Sequence, residues 1–119
     1  MNKEKLKINN IVSALLSMML KKNATKVYIN VENYDELIRI KVTGNMEDFN
    51  KEKLEDIRKT LEADRTSEIE EPYWELSDDL DENNLYLLGA MIDKFHLDFD
   101  GEFVEMTLVR EKNDIVGVD

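Results

Sequence analysis

The sequence predicts an α+β protein, a two-layer α/β sandwich whose mostly antiparallel four-stranded sheet is covered on one face by about three helices. Three observations predict it. Four short runs alternate apolar and polar residues with period two. Three longer stretches repeat apolar residues at three- and four-residue spacing. The strand-like runs come in pairs joined by short turn-forming segments, so each pair reads as a hairpin that needs helices over its apolar face.

The elements follow in order. Residues 4–22 read as a helix, because Ile8, Ile11, Val12, Leu15, Met18 and Met19 share one face and Leu16 and Leu20 widen it. Lys21-Lys22 complements the negative pole of that helix, and Asn23 is a residue type suited to end it. Val27, Ile29 and Val31 then alternate with Tyr28 and Asn30, and after Asn33-Tyr34-Asp35 the pattern resumes at Ile38, Ile40 and Val42. Gly44-Asn45 breaks the second strand. A helix over roughly 50–64 follows, with Leu54, Ile57 and Leu61 on one face and Asp48 or Asn50 to cap it. Residues 65–82 have no period and read as a loop. Leu85, Leu88, Ile92 and Phe95 predict a third helix from about 83 to 95. Leu97 and Phe99, Asp100-Gly101, then Val104, Met106 and Leu108 predict the second hairpin. One domain spans residues 1–110, and residues 111–119 lack pattern and are expected to fray.

Composition narrows the function. With 119 residues, 42% hydrophobic content, one proline and four glycines, the chain reads as a single globular domain. It has no cysteine, which excludes disulfides and cysteine zinc sites and suits a cytoplasmic location. A net charge of −11 opposes binding to nucleic acid or to an anionic membrane surface. The apolar stretch Ile11 to Leu20 is too short to span a bilayer, and Glu4 and Lys21-Lys22 spoil its likeness to a signal peptide.

That charge is concentrated. From Glu62 to Glu82 there are ten acidic residues against Arg65 alone, so the segment carries −9 of the −11. It lacks the alternating aspartates of a calcium loop, and a solvated face or a surface for a basic partner fits it better. Within it stands Pro72-Tyr73-Trp74. These aromatics read either as anchors of a protein interface or as a plug folded back onto the domain. Glu70, Glu71, Tyr73, Trp74, Asp78 and Asp79 are the candidate partner-binding residues. His96 is the sole histidine and cannot by itself anchor a transition metal, so no metal site is expected. The serines have neither a glycine elbow nor a base partner, which leaves nucleophilic catalysis unsupported. Met18, Met19, Met91 and Met106 fall on core faces as fillers.

The element order and certain segments resemble the GHKL (Bergerat) ATPase fold, in the short form of anti-sigma-factor serine kinases and akin to histidine-kinase ATPase domains. Leu85 to Arg110, LYLLGAMIDKFHLDFDGEFVEMTLVR, is similar to that family's closing helix and terminal hairpin, and VTGNMEDF falls where its aspartate–glycine box lies. The diagnostic residues are absent. Asn9 and Ser13 occupy the positions of the water-activating glutamate and the magnesium-holding asparagine, and neither supplies that chemistry. Gly44 stands at the adenine-binding aspartate, Asn45 matches, and Met46 and Asp48 replace glycines. Asp81-Glu82-Asn83-Asn84 stands where a glycine-rich phosphate cradle belongs, and Glu102 where a threonine does. The acidic segment coincides with the family's ATP lid, where like charges about 4 Å apart cost roughly 4 kcal/mol at an effective dielectric of 20.

Together these features imply a non-catalytic, ATPase-like bacterial regulator that binds a protein with a basic surface and uses no cofactor. The alternatives are a divergent anti-sigma-type serine kinase, in which Asn45, Asp48 and Gly89 still serve Mg-ATP, or a small acidic immunity or inhibitor protein. A homodimer through an exposed sheet face or the first helix fits any of them.

Overall fold

The computed structural model of the chain describes residues 3–62 and 88–112. Helix α1 spans Lys3–Lys21, strands β1 and β2 span Val27–Asn33 and Leu37–Gly44, α2 spans Lys51–Leu61, and β3 and β4 span Lys94–Phe99 and Val104–Glu111. The four strands form one sheet in the order β1-β2-β4-β3, antiparallel at every junction. The α+β architecture is thus the one the alternating runs predict.

Alternation places one set of side chains on the covered face. Val27, Ile29 and Val31 of β1 align with Ile38, Ile40 and Val42 of β2 and with Val104, Met106 and Leu108 of β4, and Phe95, Leu97 and Phe99 of β3 complete the face. Ile11, Leu15, Met18 and Met19 of α1 and Leu54, Ile57 and Leu61 of α2 close over it. α1 packs against β1 and β2, and α2 against β3. Phe49 meets Phe99 edge-on at 5.1 Å between ring centres and seals one end of the core.

The helix ends follow local chemistry. Asn23 takes a positive φ of 61°, and the Ala24 N–H reaches back to the Met19 carbonyl, which ends α1 in the left-handed manner asparagine tolerates. Of the two residues offered as caps for α2, Asn50 does the capping, its Oδ1 accepting from the Lys53 N–H at 2.9 Å. The helix stops at Leu61 rather than 64.

The third helix departs most from expectation. Residues 88–90 are helical, but Met91 already turns and β3 begins at Lys94, so Phe95 belongs to a strand. Phe95 satisfies both periods, lying three after Ile92 and two before Leu97. The ladder decides between them, because the Asp93 N–H donates to the Val109 carbonyl at 2.8 Å and draws the chain into the sheet. β4 likewise runs on to Glu111, and the Lys112 N–H donates to the Glu36 carbonyl, so ordered pairing extends past residue 110. The acidic loop with Glu70, Glu71, Tyr73, Trp74, Asp78 and Asp79, residues 83–87 of the expected third helix and residues 113–119 lie outside the described residues.

Candidate functional site

The helices occupy one side of the sheet, and among the described residues none covers the other. Alternation and register write that open face as three cross-strand rows. Tyr28, Thr43, Glu105 and Asp98 form the first, Asn30, Lys41, Thr107 and His96 the second, and Glu32, Arg39, Val109 and Lys94 the third.

The rows differ in how their charges are met. Arg39 hydrogen-bonds Glu32 and lies over the Tyr34 ring at 5.6 Å, with its pKa raised first by the hydrogen bond to Glu32 and then by that residue's charge. Lys94 approaches Glu111 at 3.9 Å, and Lys41 approaches Glu105 at 3.4 Å. The first row has no cation of its own. Asp98 has no ion-pair or hydrogen-bond partner among the described residues.

Beside that row the β3–β4 turn adds more. Asp100 Oδ1 accepts the N–H groups of Phe103 and Glu102 at 2.7 and 2.9 Å, which holds its carboxyl below the usual carboxylate range and keeps it ionised. Gly101 takes φ 99°, a conformation that only glycine adopts without strain, and this folds the turn over. Phe103 is thereby brought to Tyr28, ring centres 6.4 Å apart and tilted by 49°. Tyr28, Thr43, Asp98, Asp100, Phe103 and Glu105 together line an open concavity of about 330 Å³. Two aromatic rings and three carboxylates in one hollow suit an organic cation, whose stem packs on the rings while its charge meets the acids. The carboxylates do not converge on a metal geometry, since among the described residues no group of three or more His, Asp or Glu side chains is placed to hold an ion.

The residues singled out for a nucleotide have other duties. Asn45 Oδ1 accepts from the Thr25 and Lys26 N–H groups, each at 2.9 Å, and its Nδ2 donates to Thr25 Oγ1 at 2.8 Å. Its amide thus clamps the α1–β1 connection to the end of β2. Asp48 adopts a positive φ of 55° in the loop before α2, and its carbonyl accepts from Lys53 Nζ. Gly89 is buried against α2, where an added Cβ would lie 2.6 Å from the Leu61 carbonyl oxygen. Asn45 and Asp48 share one loop, whereas Gly89 serves helix packing. Asn9 is exposed and Ser13 half-buried on α1.

Sequence reasoning read the Asp100-Gly101 turn but missed the hollow beside it. The signal available was an aromatic, Tyr28, at a polar-phase position of an alternating strand. Only the register shows that Asp98 and Glu105 share its row.

Comparison with protein-family profiles, with curated proteins and with solved structures finds no match. Among the described residues, no helix is long and apolar enough to cross a membrane.

Proposed function

We propose that this chain is a non-catalytic, protein-binding regulator that takes a basic segment of its partner on the open face of the sheet. The observation that carries the reading is the Tyr28–Phe103 pair beside Asp98, Asp100 and Glu105, with Tyr28 60% exposed. A large aromatic left in water beside Asp98, which has no cation among the described residues, gains on docking both by burial and by meeting a cation. Long-range attraction from a chain of net charge −11 would speed that encounter.

The ATPase-like layout without a nucleotide site belongs to the same proposal. It is supported by the commitment of the Asn45 amide to Thr25 and Lys26 and by the packing of Gly89 on Leu61.

Titration with an arginine-rich peptide, followed by NMR, tests the reading at the site itself. Resonances of Tyr28, Phe103 and Asp98 should shift saturably, and Asp98→Lys or Tyr28→Ser should weaken binding about thirtyfold, the size of one hot-spot contact. Shifts confined to other parts of the chain, or binding indifferent to both substitutions, would remove the open face from the proposal.

A further inference from the structure

Strand β1 ends the sheet order, so among the described residues only one of its sides is paired. The Tyr34 N–H donates to the Leu37 carbonyl and the Asn45 N–H to the Lys26 carbonyl, at the two ends of the β1–β2 register. Bonded and unbonded pairs alternate in an antiparallel ladder, so the even-numbered residues bond β2. Val27, Ile29, Val31 and Asn33 therefore aim their N–H and C=O groups outward, and no hydrogen bond among the described residues meets them.

This edge also gathers exposed apolar surface. Of the four exposed large apolar side chains among the described residues, Tyr28 and Val31 lie on β1 and Tyr34 just after it. Val31 is 44% exposed although it lies on the covered face. Natural edges are blunted by charges, prolines or bulges. β1 has one charged residue, Glu32, no proline and an unbroken register. The opposite edge strand, β3, carries Lys94, His96 and Asp98 on its exposed face.

We propose that β1 pairs with β1 of a second copy of this chain, antiparallel about a two-fold axis through Ile29, joining the two sheets into one. Isologous pairing requires a self-complementary edge. In this register Ile29 faces its own counterpart and Val27 faces the second copy's Val31, all with outward N–H and C=O groups, giving about six ladder hydrogen bonds. The same register sets Lys26 opposite the second copy's Glu32, twice by symmetry. Lys22 and Lys26 flank one end of the strand, and Glu32, Asp35 and Glu36 the other, so the antiparallel arrangement lays the basic end of each copy on the acidic end of its mate. The charge pattern selects a second copy over an unrelated strand. Tyr28 faces Asn30 and stays on the open face, so the hollow beside it is not consumed.

Sedimentation velocity across a concentration series tests this directly. The wild-type chain should sediment as a dimer, with Ile29 and Val31 amide protection rising with concentration. Val31→Lys and Val31→Pro should yield monomers with unchanged circular dichroism, because the Val31 side chain is exposed and its N–H lies outside the β1–β2 ladder. Should the proline variant misfold, the lysine variant carries the test. Lys26→Glu should weaken the dimer about tenfold, a change kept off Glu32 because that carboxylate also bonds Arg39 of its own chain. A wild-type chain still monomeric at about 1 mM overturns the proposal. So does a dimer indifferent to the Val31 and charge-reversal variants.

Discussion

Arg110, next to last in β4, has its side chain only 2% exposed. Its Nε and Nη2 donate to the two carboxylate oxygens of Glu4 at 2.6 and 3.0 Å, and its Nη1 donates to the Met91 carbonyl at 2.6 Å. One guanidinium thus ties the start of α1 and the approach to β3 to the end of β4. Arg110 is buried but Glu4 is 39% exposed, so Glu4→Ala should cost about 1–3 kcal/mol in urea unfolding, and Arg110→Ala at least as much because it also loses packing. Asp100 makes a pH-dependent prediction. Its folded pKa lies below the unfolded one because the Phe103 and Glu102 N–H groups bond the carboxylate. Its contribution is therefore complete above the unfolded value and is lost as pH falls through the folded one. The stability deficit of Asp100→Ala should be full at neutral pH and shrink below about pH 4, as thermal melts at several pH values would record.

At the scale of elements, two small residues hold the packing. Gly89 lets the segment before β3 lie against the last turn of α2, and a methyl group there meets Leu61 backbone atoms at 2.6 to 2.9 Å. Gly89→Ala should cost about 1–3 kcal/mol, as overpacking a fixed backbone does. Asn45 joins the connections at one end of the sheet through three hydrogen bonds. Asn45→Ala hands two exposed backbone N–H groups to water and should lose about 1 kcal/mol. Circular dichroism of that variant should show the helices intact, since the amide braces a junction and not a helix.

At the scale of the molecule, charge and surface divide the functions proposed. The hollow on the open face is suited to a cation, the free β1 edge to a second copy. The proposal without a nucleotide site makes a prediction at this scale too. Mg-ATP at millimolar concentration should therefore leave the melting temperature within about 1 °C, whereas a ligand at 100 times its Kd would add about 2.7 kcal/mol of stability. A saturable rise would restore the kinase-like alternative.

The sequence by itself determined the four strands, the two described helices and which face of each enters the core. Those features depend on period alone, and period is local: Ile38, Ile40 and Val42 must share a side whatever surrounds them. Turn chemistry was legible for the same reason at Asn23, Asn50 and Asp100-Gly101. Where two periods overlapped, as at Phe95, the nearer strand pairing prevailed, and nothing in the spacing foretold it. Asn45 and Gly89 were legible as distinctive residues but not in their duties, which depend on Thr25 and Leu61, 20 and 28 positions away in the chain. Tertiary structure alone decided that β4 inserts between β2 and β3. This brings Glu105 and Asp98 into the row of Tyr28, seats Arg110 on Glu4 and leaves β1 at the edge. Such pairings join residues up to 106 positions apart, and a pattern that repeats every two or four residues carries no information at that range.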